Sequence, residues 1–175
     1  METQNLQILI EGCLKNDRNS QKQIYDLYKN AMYSVCLRIC ADCDDAKDAL
    51  QEGFVEVFKC INAFRSESSL GAWIKTIMVR RAIRKLKKLK FEKFPANLHE
   101  PIEFESDISG EELHKAILML DEGYRSVFVL YEVEGYSHQE ISRILKISEG
   151  TSKSQLHYAK KKLQLILQKI YGYER

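Results

Sequence analysis

The sequence predicts an all-α fold of two small helical domains joined by a flexible linker. Three observations carry that expectation. Apolar residues recur every three or four positions over most of the chain, as helices with one buried stripe require. Both prolines, Pro95 and Pro101, fall inside one acidic stretch, and proline disfavours helix in itself and in the residue before it. Beyond that stretch, two Ser-x-x-Glu capping boxes mark helix starts. At 175 residues the chain holds one medium domain or two small ones, each with a modest core.

The elements follow in chain order. From Gln21 to Ala41 the apolar stripe is Ile24, Leu27, Tyr28, Ala31, Val35 and Ile39. From Asp45 to Phe64 it is Ala46, Ala49, Leu50, Phe54, Val57, Phe58, Ile61 and Phe64, while Asp44, Asp45, Asp48 and Glu52 make the opposite face acidic and complement the helix dipole. A further helix starts near Ser69, carries Leu70, Trp73, Ile74 and Ile77, and runs into a basic block. The proline-containing segment 94–108 is the linker between domains 1–93 and 109–175. Ser109 to Glu112 caps the next helix, with Ile108 and Leu113 as its hydrophobic staple. Ser137 to Glu140 caps another, stapled by Tyr136 and Ile141 and ending near Leu145. After the turn Lys146-Ile147-Ser148, helix resumes at Glu149 with Leu156, Ala159, Leu163, Ile166, Leu167 and Ile170 inward and the lysines outward. That is a helix-turn-helix whose second helix is long and basic.

The formal net charge of +2 conceals segregated blocks. Arg80 to Lys93 sets eight basic residues against Glu92 alone. Phe94 to Glu112 holds six acids and no Lys or Arg. Lys146 to Lys169 sets six lysines against Glu149. Basic faces of this kind suit nucleic acid. As a membrane helix the first block has too thin an apolar face, limited beyond Arg80 to Ala82, Ile83, Leu86, Leu89 and Phe91. Phe64 and Trp73 flank the polar loop Arg65 to Ser69, and aromatic and polar groups beside a cationic helix suit an unstacked strand. Both aromatics also read as core residues, and the two roles are compatible. The start of the last helix, Glu149 to Gln155, presents short polar groups where base edges and phosphates are met.

Cys36, Cys40 and Cys43 have the C-x3-C-x2-C spacing of a radical iron-sulfur motif, but that cluster needs a loop in a much larger α/β barrel. Cys36 and Cys40 instead fall one turn apart on an amphipathic helix, as buried thiols do. A zinc site lacks a fourth ligand, because His99, His114, His138 and His157 are scattered. With Cys13 and Cys60 the cysteine count is odd, which argues for reduced thiols over a disulfide framework. No nucleophile elbow, Gly-rich phosphate loop or H-E-x-x-H occurs. Neither catalysis, a metal nor a cofactor is expected. The polar start Met1 to Asn5 and the lack of a span-length apolar run lead to the expectation of a cytoplasmic protein without membrane insertion.

These residues resemble the sigma-70 family of RNA polymerase sigma factors, specifically its extracytoplasmic-function (ECF) members, over nearly the whole chain. Asp45-Ala46-Lys47-Asp48-Ala49-Leu50-Gln51-Glu52-Gly53-Phe54 is similar to the family's polymerase-binding helix, and Leu70 to Ile77 to the start of its promoter-melting helix. Tyr124 to Phe128, Glu134 to Ser137 and Ser148 to Ser154 are similar to its C-terminal domain. The resemblance implies a sigma-2-like bundle and a sigma-4-like helix-turn-helix that lend promoter specificity to bacterial core RNA polymerase. It assigns polymerase binding to Asp45, Asp48, Gln51, Glu52 and Phe54. It assigns capture and opening of the minus-ten element to Phe64, Ser66, Trp73, Lys75, Arg80, Arg81 and Arg84. Reading of the minus-thirty-five element falls to Thr151, Ser152, Lys153, Ser154, Gln155, His157, Tyr158 and Lys160. Core polymerase, promoter DNA and an inhibitory anti-sigma factor or other regulatory protein are the implied partners.

The chain departs from the family pattern in three respects: Arg80 stands where relatives usually have Asn, Gln155 and Tyr158 where many have Arg, and Asp121 in place of the usual Pro. The first two bear on promoter preference, since a bidentate base contact discriminates by about 1–3 kcal/mol; the third is expected to affect only its own turn. Two rivals stand beside this reading: a helix-turn-helix regulator that never touches core polymerase, and a sequestering adaptor that binds only proteins. The acidic helix argues against the first and the basic faces against the second.

Overall fold

The structure, a computed structural model, describes residues 2–86, 91 and 108–172 and divides into two compact units, 1–85 and 86–175. Every regular element among the described residues is helical. The linker assigned to 94–108, save residue 108, lies outside the described residues, as do Lys87, Lys88, Lys90 and Lys93 of the basic block.

The first unit contains α1 (Glu2–Leu14), α2 (Arg18–Cys40), α3 (Cys43–Cys60) and α4 (Leu70–Lys85). Local chemistry sets their ends. The Asp17 carboxylate accepts from the Asn19 and Ser20 amides to start α2, and Asp42 accepts from Asp44 and Asp45 to start α3. Between them Ala41 turns left-handed, at φ 55°, and closes α2 through a hydrogen bond from its amide to the Leu37 carbonyl. Helices α2, α3 and α4 pack on one another and α1 packs on α2. Their shared core takes Ile24, Val35, Cys36 and Ile39 from α2, Ala46, Ala49, Phe54 and Val57 from α3, and Leu70, Ile74, Met78 and Ala82 from α4.

The expected helix through Phe64 stops short. The chain leaves α geometry at Cys60 and tightens into a 3-10 turn, Ile61–Ala63, whose last bond runs from the Phe64 amide to the Ile61 carbonyl. Phe64 is thereby extended and begins the loop to α4.

The second unit contains α5 (Gly110–Leu118), α6 (Glu122–Phe128), a wider π-helical turn (Val129–Val133), α7 (His138–Leu145) and α8 (Glu149–Tyr171). Both capping boxes form, at Ser109 with Glu112 and at Ser137 with Glu140. Helix α6 is buried from Gly123 onward, and its Arg125 guanidinium donates to the Leu120 carbonyl. The inward stripe of α8 is Ser152, Gln155, Leu156, Ala159, Leu163 and Leu167. Ile170 was expected inward but is 46% exposed, so the covered stripe ends at Leu167.

Cys13, Cys36 and Cys40 are buried free thiols, and Cys43 and Cys60 are exposed free thiols. Burial and the neighbouring Cys40 push the Cys36 thiol up to about 12, which keeps it protonated and unreactive.

Candidate nucleic-acid interface

The acidic face of α3 and the basic face of α4 meet within the first unit. Lys85 places its Nζ 2.7 Å from Glu52 and 3.4 Å from Asp48. Arg81 reaches Glu52 at 3.5 Å through Nη1 and bonds Glu56 through Nε. The Lys85 hydrogen bond holds the Glu52 carboxyl below its usual range, and Glu52 in turn raises Lys85. Asp48, Gln51 and Glu52 are exposed and Asp45 is half-buried. Phe54 is not at this surface. It is 3% exposed, edge-on to Tyr25 at 4.8 Å and stacked with Phe58, so a role in direct docking is corrected to one in the core.

The residues expected at a melted strand divide similarly. Phe64 and Trp73 are half-buried partners with ring centroids 5.5 Å apart, so each combines packing with an accessible edge. Ser66 is exposed with a left-handed φ of 57°, and Lys75 is half-buried on α4. Arg80 and Arg84 project from α4 as exposed cations, whereas Arg81 turns back to the acids of α3.

In the second unit α7 and α8 form the helix-turn-helix. Lys146 closes α7 in left-handed geometry at φ 56°, and the Ser148 hydroxyl accepts from the Thr151 amide at 2.9 Å to open α8. Lys153 is exposed, and Thr151, Ser154, His157 and Tyr158 are half-buried. Lys160 pairs with Glu132 of the π-helical turn at 2.7 Å. Ser152 and Gln155 are fully buried, which corrects their assignment as base-contacting residues. At about 100° per residue, 152 and 155 fall in one arc with the buried 156 and 159, the side that the rest of the unit covers, and 151, 154 and 158 lie at the margin of that arc.

Two features had no signal in the sequence. Tyr131 in the π-helical turn stacks on His138 at 4.4 Å, and the His138 Nδ1 lies 2.8 Å from the Ser152 Oγ. Asp121, expected to matter only to its own turn, pairs with Lys162 of α8 at 2.6 Å, while Lys162 also sits over the Tyr124 ring.

Residues 24–92 match the family described as Sigma-70 region 2, and residues 110–163 match that described as Sigma-70, region 4. The chain belongs to the ECF sigma factor family. Among its relatives, the ECF RNA polymerase sigma factor SigW of Bacillus subtilis is 26% identical over 174 residues, covering 89% of this chain and 92% of SigW. The RNA polymerase sigma-H factor of Pseudomonas aeruginosa is 23% identical over 183 residues, covering 94% of each chain. In fold the chain is similar to CnrH solved in complex with the cytosolic domain of CnrY, with a TM-score of 0.55, 18% identity and coverage of 93% and 97%. It is likewise similar to RpoE solved with the anti-sigma factor NepR from Bartonella quintana, with a TM-score of 0.53, 23% identity and coverage of 84% and 96%.

This sigma factor directs transcription by binding core RNA polymerase and presenting a helix-turn-helix to DNA, and it is not an enzyme. Membership removes both rivals, the polymerase-independent regulator and the protein-only adaptor. The cytoplasmic placement is corrected. CnrH, whose fold is similar, was solved on the cytosolic domain of CnrY, and the expectation of a cytoplasmic protein is withdrawn on that finding. Among the described residues no helix is long and apolar enough to cross a membrane. Location is decided by what a chain binds, which its apolar content does not report.

Proposed function

We propose that residues 1–93 dock on core polymerase and engage the minus-ten element, that 94–108 link the domains, and that 109–175 read the minus-thirty-five element. The observation that carries this reading is the two-sided first unit. Exposed Asp48, Gln51 and Glu52 offer an acidic surface on α3, and exposed Arg80 and Arg84 offer cations on α4. Docking falls to Asp45, Asp48, Gln51 and Glu52. Phe64, Ser66, Trp73, Lys75, Arg80 and Arg84 take the opened strand, aromatics receiving bases and cations neutralising phosphates. Arg81 joins them only when it leaves Glu52 and Glu56.

Thr151, Lys153, Ser154, His157 and Tyr158 read the duplex, and Lys160 stands at the edge of that face. The phosphate contacts make promoter affinity fall with salt by a log-log slope of about −0.9 per phosphate neutralised. An inhibitory protein partner belongs to the reading, supported by the complexes in which CnrH and RpoE were solved. On this reading the chain acts through polymerase and that partner, without inserting into a membrane.

Run-off transcription with core polymerase on a genomic promoter library tests the docking face. The Asp48→Arg/Glu52→Arg variant loses specific initiation while keeping its helical melting transition. Because that change also breaks the Lys85 pairs, Gln51→Arg, which lies outside them, is the second variant and loses initiation as well. Full initiation by both variants would refute the docking assignment.

A further inference from the structure

The start of α8 is braced from two other elements. Ser148 is its N-cap, so Ser152 lies in the first turn or so, between Thr151 and the outward Lys153 and Ser154. Ser152 is fully buried, and its Oγ is 2.8 Å from the Nδ1 of His138, the first residue of α7. The other side of the contact is an aromatic stack. The His138 ring lies on Tyr131 with centroids 4.4 Å apart and planes 22° from parallel. Tyr131 belongs to the π-helical turn, whose next residue, Glu132, pairs with Lys160 two turns further along α8. The same turn therefore reaches α8 directly at Lys160 and, through the His138 ring, at Ser152.

We propose that His138 is a positioning residue for promoter reading: clamped between Tyr131 and Ser152, it sets the angle at which the first turn of α8 meets the base edges. This rests on the proposed reading of the minus-thirty-five element by α8. Hydrogen bonds to base edges are directional, whereas phosphate contacts fix register and carry no sequence information. Loosening the clamp therefore lowers discrimination between sequences more than it lowers affinity for DNA as such.

The surroundings of His138 fit a fixed, neutral ring. Burial, followed by the nearby Lys153, holds it below the ordinary imidazole range, against the weaker upward pull of Glu149 and Glu132. A neutral ring and a hydroxyl share one hydrogen across the 2.8 Å contact in either tautomer.

The test uses holoenzyme assembled from the full chain and core polymerase. Its probes are a duplex carrying the minus-thirty-five element that the wild-type holoenzyme selects from a random library, and the same duplex with that element scrambled. His138→Phe keeps the stack and removes Nδ1, and Ser152→Ala removes the other partner. Each is expected to lower the ratio of selected to scrambled affinity about tenfold, the size of a modest base contact. The double variant should lower it no further than either single change, and His138→Asn, which restores a polar atom near Nδ1, should recover part of it. Melting temperature and scrambled-duplex affinity stay near wild type.

An unchanged ratio in His138→Phe overturns the proposal, as does a loss on both duplexes that tracks the melting temperature. Thr151→Ala/Lys153→Ala separates the two levels. If that variant lowers the ratio and His138→Phe does not, the clamp alone fails. If it leaves the ratio intact, α8 is not the reader and the clamp falls with it.

Discussion

Lys85 on α4 and Glu52 on α3, 33 positions apart in sequence, meet at 2.7 Å and join the basic and acidic faces of the first unit. Glu52 is half exposed, so the pair is screened and its own contribution to stability is small. Its larger consequence is for the surface: a cationic partner seated on Asp48 and Glu52 competes directly with Lys85 and Arg81.

The pH dependence of that pair has a definite sign. The Glu52 carboxyl is held below its usual range, chiefly by its hydrogen bond from Lys85. Its contribution is therefore present above the ordinary carboxylate pKa and is lost as pH falls through the lowered folded value. Lys85→Ala is expected to lower the melting temperature slightly at about pH 7, and the difference from wild type should shrink as pH falls below the ordinary carboxylate range and in about 1 M salt. Thermal unfolding by circular dichroism measures it.

Gly53 of α3 packs directly against Met78 of α4. A Cβ there would lie 2.3 Å from the Met78 Sδ, inside a fully buried contact. Gly53→Ala gains about 1 kcal/mol of helix propensity and incurs overpacking of about 1–3 kcal/mol. Net destabilisation is expected. Because a smaller side chain at 78 removes the clash, the cost of Gly53→Ala should shrink in a Met78→Ala background. A double-mutant cycle in urea checks the sign of the coupling.

His138 makes the second unit sensitive to mild acid. Its folded pKa lies below the ordinary 6.5, so between the two values the unfolded chain binds the proton more readily. Stability is full above the unfolded pKa, declines as pH falls toward the folded value, and then levels off. Unfolding followed from about pH 8 to about pH 5 should show this decline in wild type and a flatter profile in His138→Phe.

Gln155 tests whether a departure from the family pattern concerns DNA or packing. It is fully buried between α8 and the rest of its unit. Gln155→Arg is expected to cost at least about 2 kcal/mol through burial of a larger, charged group. The same change at Tyr158, which is half-buried, should alter promoter preference with little loss of stability. Comparing melting temperature with the selected promoter sequence for the two variants separates these effects.

Much of the molecule is legible in the sequence. Helix starts at Ser109 and Ser137 are readable because a cap and the amides it satisfies lie within four residues of each other. The apolar stripes were readable because the period of the helix is local. The end of α3 was misplaced, because the 3-10 turn at Ile61–Ala63 preserves a three-residue apolar spacing and so hides the change.

By itself, then, the sequence determined the all-α character, the two capping boxes, the helix-turn-helix and the family. Each rests on contacts within a few residues or on motifs contiguous in the chain. Only the tertiary structure decided which polar residues face outward. Ser152 and Gln155 sit in motif positions yet are buried, because the rest of their unit covers that side. Arg81 and Lys85 belong to a basic run yet answer to acids 25 to 37 positions earlier. His138 looked like a helix start and is also a clamp, because Tyr131 and Ser152 reach it from elements that only folding brings together.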